Sequence, residues 1–117
     1  MTNPLVDHEI EITPAQAEQA LEAGTATVID VREPYEWEAG RIDGVRHIEL
    51  ERLAAEAETI DRARPVIFQC RLGVRSLMAA QAFRRAGFEA WSMAGGIQRW
   101  ADEGRPLVPD HAQIAEH

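Results

Sequence analysis

Residues 66–76, VIFQCRLGVRS, are the segment of the chain most informative about its fold. Its first four residues form an apolar run typical of a buried strand, and a helical pattern follows from Leu77 to Ala86. Cys70, the only cysteine, therefore stands on a tight loop between a strand and a helix N-terminus. Free N–H groups and the positive end of the helix dipole favour the thiolate there, and the thiolate is the nucleophilic form of cysteine.

Two other interpretations of this loop must be weighed against a catalytic cysteine. A lone cysteine is commonly a small buried hydrophobe, but the residues after Cys70 are polar, charged and small, and parallel sheets bind ligands at the carboxyl ends of their strands. A phosphate-binding loop needs a lysine before its Ser or Thr, and the chain has no lysine. The pattern therefore favours a nucleophile, with Arg71 and Arg75 as cations for an anionic substrate.

Length and composition limit the classes of protein to consider. The 117 residues, 45% of them hydrophobic, suit one globular domain, and no apolar run approaches the ~20 residues of a membrane span. A net charge of -8 argues against nucleic acids and anionic membranes as partners. One cysteine excludes an internal disulfide, and a free thiol fits the cytoplasm. The four histidines are scattered, so we assign no metal and no cofactor.

Strands are predicted to alternate with helices, which implies a parallel α/β sheet. The predicted strands are His8–Ile12, Thr27–Val31, Arg46–Leu50, Val66–Gln69 and Phe88–Met93. The predicted helices are Pro14–Ala23 with Thr13 as its cap, a short turn at Tyr35–Glu38, Glu51–Ile60, Leu77–Ala86 and Ile97–Glu103. A tail follows from Gly104, partly packed by Leu107 and Val108.

Three sequence blocks resemble those of single-domain rhodaneses, a family of sulfurtransferases. They are DVREPYEWEAGRIDGV at residues 30–45, CRLGVRS at 70–76 and GGIQRW at 95–100. The chain departs from the family at Arg41, Val45 and Glu49, where histidine, alanine and proline are usual. All three departures lie outside the cysteine loop, so they affect no catalytic assignment.

The resemblance implies an α/β, rhodanese-like fold, with a five-stranded parallel sheet flanked by helices on both faces. It implies one rhodanese-like domain over residues 1–109, with a C-terminal tail over 110–117. It also implies a persulfide carried on Cys70. From Cys70 to Arg75 the loop has six residues, one fewer than in the related phosphatases and arsenate reductases. A shorter ring of N–H donors holds a smaller anion, which favours sulfur over a tetrahedral oxyanion.

In the mechanism that the resemblance implies, the Cys70 thiolate takes sulfur from a small anionic donor such as thiosulfate, and cyanide or a thiol accepts it. Arg71 and Arg75 would orient the sulfonate, unless Arg75 fixes the loop by pairing with a carboxylate. Ser76 is expected to cap the following helix. The residues whose backbone N–H groups would stabilise the anionic sulfur are Arg71, Leu72, Gly73, Val74, Arg75 and Ser76.

Asp30 and Arg32 are supporting candidates at the carboxyl edge of the sheet. They either steady the loop and line the pocket or form a structural ion pair, and for Asp30 we favour the structural role. Three functions stay open: a sulfurtransferase enzyme, a sulfur carrier or acceptor module for a protein donor or acceptor, and a non-catalytic interaction domain. An intact Cys70 with two loop arginines argues against the last.

Overall fold

The computed structural model describes Leu5 and residues 9–117. Its strands are β1 (Glu11–Ile12), β2 (Thr27–Asp30), β3 (Arg46–His47), β4 (Val66–Gln69) and β5 (Ala90–Met93). Its helices are α1 (Pro14–Ala23), α2 (Pro34–Ala39), α3 (Leu53–Glu56), α4 (Val74–Arg85) and α5 (Gly96–Asp102). No helix in this described part of the chain is long and apolar enough to cross a lipid bilayer.

The five strands form one parallel sheet in the order β1-β5-β4-β2-β3, which confirms the predicted sheet. The central strand is β4, and its last residue, Gln69, lies in register with Asp30 at the end of β2. The backbone N–H of Val31 donates to the Gln69 carbonyl at 3.0 Å. The residues that follow β2 and β4 therefore emerge side by side at the carboxyl edge of the sheet.

Helices cover both faces of the sheet, as expected. Neighbouring residues of β4 point to opposite faces, so Ile67 packs with α1 and α5 while Phe68 packs with α3 and α4. Each face has its own apolar core, and β4 is fully buried. Of the tryptophans, Trp91 and Trp100 lie in the core beside α1 and α5.

The start of α1 confirms the predicted cap. Thr13 Oγ1 accepts from the Gln16 N–H at 3.1 Å, and Gln16 Oε1 accepts from the Thr13 N–H at 2.8 Å. These reciprocal bonds satisfy backbone donors that a helix N-terminus otherwise leaves free. Gly24 ends the helix in the left-handed conformation, with φ of 67°.

The predicted helix Glu51–Ile60 is wrong as a single element. The chain there forms a 3-10 turn (Leu50–Arg52), the short α3 and a second 3-10 turn (Ala57–Thr59). Only Leu53 is buried in these three pieces, so no continuous apolar face holds a longer helix against the sheet.

Other predicted boundaries shift by a few residues. The strand predicted over Arg46–Leu50 is only β3, because Leu50 already begins the 3-10 turn. The helix after Cys70 begins at Val74, earlier than predicted. In the strand predicted over His8–Ile12, only Glu11–Ile12 is a strand, and His8 lies outside the described residues.

The segment after α5 turns back onto the domain. Trp100 Nε1 donates to the Pro106 carbonyl at 2.8 Å. Val108 forms an antiparallel bridge with Arg41 through two backbone hydrogen bonds of 2.8 Å. Leu107 and Ile114 pack against the core on the α1 face.

Candidate active site

Cys70 sits directly after β4, with its side chain turned toward the start of α4. Its Sγ accepts hydrogen bonds from the backbone N–H groups of Gly73 at 3.1 Å and Ser76 at 3.4 Å. The residue is only 1% exposed. These two donors and the N-terminus of α4 would stabilise a negative charge on the sulfur.

The loop can turn this tightly because Gly73 adopts φ of 101°, a conformation that side chains disfavour. A Cβ at this position would also lie 3.3 Å from the Gly95 nitrogen. Gly73 occupies the cap position of α4, so the expectation that Ser76 caps this helix is wrong. Ser76 lies inside the first turn, where its Oγ contacts Cys70 Sγ at 3.5 Å and Ser92 Oγ at 2.7 Å.

The GGIQRW block binds the backbone carbonyls of the cysteine loop. The N–H groups of Ile97 and Gln98 donate to the carbonyls of Cys70 at 2.8 Å and Arg71 at 3.1 Å. A Cβ on Gly96 would collide with the Arg71 carbonyl and lie 2.5 Å from the Cys70 oxygen. The glycine is therefore needed so that α5 can approach the loop backbone. This contact helps to hold the loop with its N–H groups toward the sulfur.

Arg75 pairs with a carboxylate, which was one of its two predicted roles. Its Nη1 and Nη2 donate to Glu36 Oε1 at 2.8 Å and Oε2 at 3.0 Å. Glu36 is fully buried in α2 and also accepts from the Glu33 N–H at 3.0 Å. This bidentate bond fixes the guanidinium and connects α4 to α2.

The pair changes the acid–base behaviour of both partners. Burial raises the pKa of Glu36, but the hydrogen bonds from Arg75 and Glu33 and the nearby charges of Arg75 and His117 outweigh it, so the pKa lies below its usual value. Burial lowers the pKa of Arg75, and its bonds to Glu36 reverse this and raise it. Both groups are held in their charged forms.

Arg71 keeps part of its hydrogen-bonding capacity unused. Its Nε is buried and has no hydrogen-bond partner among the described residues. Arg71 also lines a small cavity of about 90 Å³ above Cys70. The residues that line this cavity are Cys70, Arg71, Leu72, Val74, Arg75 and His117. The arrangement presents a cation and a buried sulfur to a small anion.

Asp30 and Arg32 form an ion pair with each other, and both are fully buried. Arg32 Nη2 donates to Asp30 Oδ2 at 2.7 Å and to the Gly40 carbonyl at 2.8 Å. His47 Nε2 contacts the Arg32 carbonyl at 2.7 Å and stacks on Trp37. The pair ties the end of β2 to the end of α2, and neither side chain lines the cavity above Cys70.

Sequence reasoning did not assign Glu36, Ser92 or His117 to the site. Glu36 stands within the first recognised block, but its pairing with Arg75 depends on how α2 packs. Ser92 gives no local signal, because it contacts Ser76 only through the parallel pairing of β5 with β4. His117 lies at the far end of the chain.

One cluster of possible metal ligands occurs in the described part of the chain. Ligand atoms of Glu33, Glu36 and His117 lie within 4.8 Å of one another. Both Glu36 oxygens already accept from Arg75, and His117 Nε2 lies 3.1 Å from Glu33 Oε2. The cluster is an ion-pair network, so we assign no metal to it.

The chain is similar to known proteins over most of its length. A model of the rhodanese-like domain matches residues 13–103, most of the chain. The chain belongs to the rhodanese family. Rhodanese relatives include thiosulfate sulfurtransferase GlpE of Pseudomonas aeruginosa, 37% identical over 76% of this chain and 81% of that protein. The putative sulfurtransferase YtwF of Bacillus subtilis is 32% identical over 82% of this chain and 94% of that protein.

Solved structures show the same rhodanese fold. The chain superposes on a rhodanese-related protein of Thermoplasma volcanium with a TM-score of 0.79 and 30% identity, covering 86% of this chain and 98% of that one.

The uncharacterized Bacillus subtilis protein YqhL is 42% identical over 64% of this chain, and the match spans 60% of YqhL's length. The matches to GlpE and YtwF support sulfurtransferase activity at the level of the family.

Proposed function

We propose that the chain transfers sulfane sulfur from thiosulfate or a persulfide donor to cyanide or a thiol, through a persulfide on Cys70. One observation carries the proposal. The Cys70 sulfur accepts two backbone hydrogen bonds inside a six-residue loop at the start of α4. A sulfur anion is stabilised there as an oxyanion is in other nucleophilic enzymes.

The reaction has two displacements at sulfur. The Cys70 thiolate attacks the outer sulfur of thiosulfate, the S–S bond to the sulfonate sulfur breaks, and sulfite leaves with the electron pair. The acceptor nucleophile then attacks the outer sulfur of the persulfide, and the Cys70 thiolate leaves. Neither step needs a redox partner or a cofactor, and the two half-reactions predict ping-pong kinetics.

The residues around Cys70 divide between binding and positioning. Arg71 lines the cavity and binds the sulfonate through its guanidinium, whose Nε has no hydrogen-bond partner among the described residues. Arg75 is held by Glu36 and so keeps the loop in place, while its charge still favours an anionic donor. Asp30 and Arg32 act as positioning residues, because their side chains bond to each other and to the Gly40 carbonyl.

A carrier module for a protein donor or acceptor is the second candidate. The observation that favours it is apolar surface beside the cavity: Leu72 is 55% exposed, Val74 68% and Met78 55%. Val74 and Met78 lie one turn apart on α4, and so they share one face. The probable adenylyltransferase/sulfurtransferase MoeZ of Mycobacterium tuberculosis is 35% identical over 99 residues, which is 25% of that longer protein.

Steady-state turnover tests the enzyme proposal. We expect the chain to form thiocyanate from thiosulfate and cyanide with ping-pong kinetics, and Cys70→Ser to form none while keeping its circular dichroism spectrum. A carrier module would instead accept sulfur from a persulfidated protein and turn over thiosulfate negligibly. Undiminished turnover by a pure Cys70→Ser sample would refute both candidates. A reducing compartment such as the cytoplasm would keep this thiol free.

A further inference from the structure

The last ten residues, 108–117, form a strap that lies along residues 33–41 in the opposite direction. Its path is fixed by four contacts spaced along its length. They are Val108 with Arg41, the Gln113 N–H with the Ala39 carbonyl, the Glu116 carbonyl with the Tyr35 hydroxyl, and His117 with Glu33. The strap lies beyond residues 13–103, the part of the chain that matches the rhodanese family.

The strap packs tightly where it crosses the end of α2. A Cβ on Gly40 would lie 2.5 Å from the Gln113 carbonyl oxygen and 2.9 Å from its nitrogen. Ile114 packs against the core, and the Gln113 N–H donates to the Ala39 carbonyl at 2.8 Å. The absence of a side chain at residue 40 lets the strap lie against the end of α2.

The strap ends at the cavity above Cys70. His117 lines that cavity together with residues of the cysteine loop, and its Nε2 lies 3.1 Å from Glu33 Oε2. Its side chain is 43% exposed, so together with Leu72 and Val74 it forms the outer rim of the cavity. The volume that remains, about 90 Å³, suits a molecule of a few heavy atoms.

We propose that this strap determines specificity by narrowing the entrance to Cys70, so that small sulfur donors and acceptors react and bulky thiols are disfavoured. The proposal rests on the sulfurtransferase function proposed above. The same thiol with an open rim would accept larger nucleophiles, because steric exclusion in a confined site discriminates by size.

Two variants open the rim, and one serves as a control. His117→Ala removes the rim side chain alone, and deletion of residues 115–117 removes the end of the strap but keeps Ile114 on the core. His111→Asn is the matched control, because His111 is an exposed strap histidine away from the cavity with φ of 66°, which asparagine tolerates.

The kinetic readout is the ratio of kcat/KM for glutathione to kcat/KM for cyanide, with thiosulfate as donor. We expect this ratio to rise about tenfold in His117→Ala and in the deletion, and to stay at the wild-type value in His111→Asn. An unchanged ratio in both rim variants would overturn the proposal.

A second readout does not depend on sulfur transfer. Cys70 in the sulfur-free protein is alkylated with iodoacetamide, which is small, and with a fluorescein maleimide, which is bulky. The ratio of the maleimide rate to the iodoacetamide rate is compared among variants. We expect the ratio to rise in the rim variants and not in His111→Asn. A rise without any thiosulfate turnover would support the strap and refute the enzyme, whereas turnover with an unchanged ratio would refute the strap alone.

Discussion

Arg75 binds Glu36 through two hydrogen bonds of 2.8 and 3.0 Å across 39 residues of sequence. The bond joins the loop that carries Cys70 to α2, which belongs to a different sequence block. Glu36 is fully buried and the Arg75 side chain is 15% exposed, so neither charge is well solvated without the other. The pair therefore couples the position of the cysteine loop to the packing of α2.

Breaking this pair should destabilise the fold. We expect Glu36→Gln to lower the free energy of unfolding by about 3 kcal/mol, because it leaves the Arg75 guanidinium without its counter-ion. Urea denaturation at pH 7 measures the loss. Arg52→Gln is the control, since it breaks an exposed pair with Glu56 and should cost under ~0.5 kcal/mol. Equal losses in both variants would show that the buried pair contributes no more to the free energy of unfolding than an exposed pair does.

The same pair predicts how stability depends on pH. The pKa of Glu36 is lower in the folded protein than in the unfolded chain, so the folded state binds fewer protons at this group. Its contribution to stability is therefore complete above the unfolded value of about 4.3 and is lost as pH falls through the folded value. We expect the difference in unfolding free energy between wild type and Glu36→Gln to shrink from pH 7 to pH 3. A constant difference would contradict this titration.

Arg71 should discriminate among sulfur donors by charge. We expect Arg71→Ala to reduce kcat/KM for thiosulfate by ~1.5–3 kcal/mol in transition-state free energy, about 10- to 150-fold, because a charge-assisted bond to the sulfonate is lost. A small persulfide without a sulfonate group, such as 2-hydroxyethyl persulfide, should lose much less. Arg75→Ala should harm both donors alike, because its bond to Glu36 positions the loop. If Arg71→Ala also harms both equally, then Arg71 holds the loop and does not bind the donor.

Alanine substitutions at Gly96 and Gly104 distinguish the effect of backbone strain from that of a steric collision. Both have positive φ, 62° and 79°, but a Cβ on Gly96 meets the Arg71 carbonyl and a Cβ on Gly104 meets nothing within 4 Å. We expect each alanine variant to lose roughly 1–2 kcal/mol of stability from strain, and only Gly96→Ala to lose sulfur-transfer activity as well. Comparable kcat/KM values for the two variants would show that the loop tolerates a displaced α5.

The sequence predicted the parts of the fold and of the site that have local causes. The cap at Thr13 and the strand Val66–Gln69 follow from residue pattern, and the structure has both. The placement of Cys70 between a strand and a helix N-terminus follows from the residues on either side of it. The turn at Gly73 also has a local cause, because only glycine adopts such backbone angles easily.

The features that the sequence missed depend on packing between distant segments. Glu36 becomes the partner of Arg75 only when α2 lies beside α4. The segment Glu51–Ile60 has helical composition, but it buries too little apolar surface to form one helix. His117 reaches the cavity because the strap, residues 108–117, runs back along residues 33–41. No local sequence pattern predicts this path.

Intact-mass spectrometry shows whether Cys70 carries sulfur. The reduced protein is treated with thiosulfate, desalted and weighed, then treated with cyanide and weighed again. The mechanism predicts a gain of one sulfur atom, about 32 Da, that cyanide removes and that Cys70→Ser never shows. A wild-type protein that gains no mass, or a Cys70→Ser variant that gains the same mass, would contradict it.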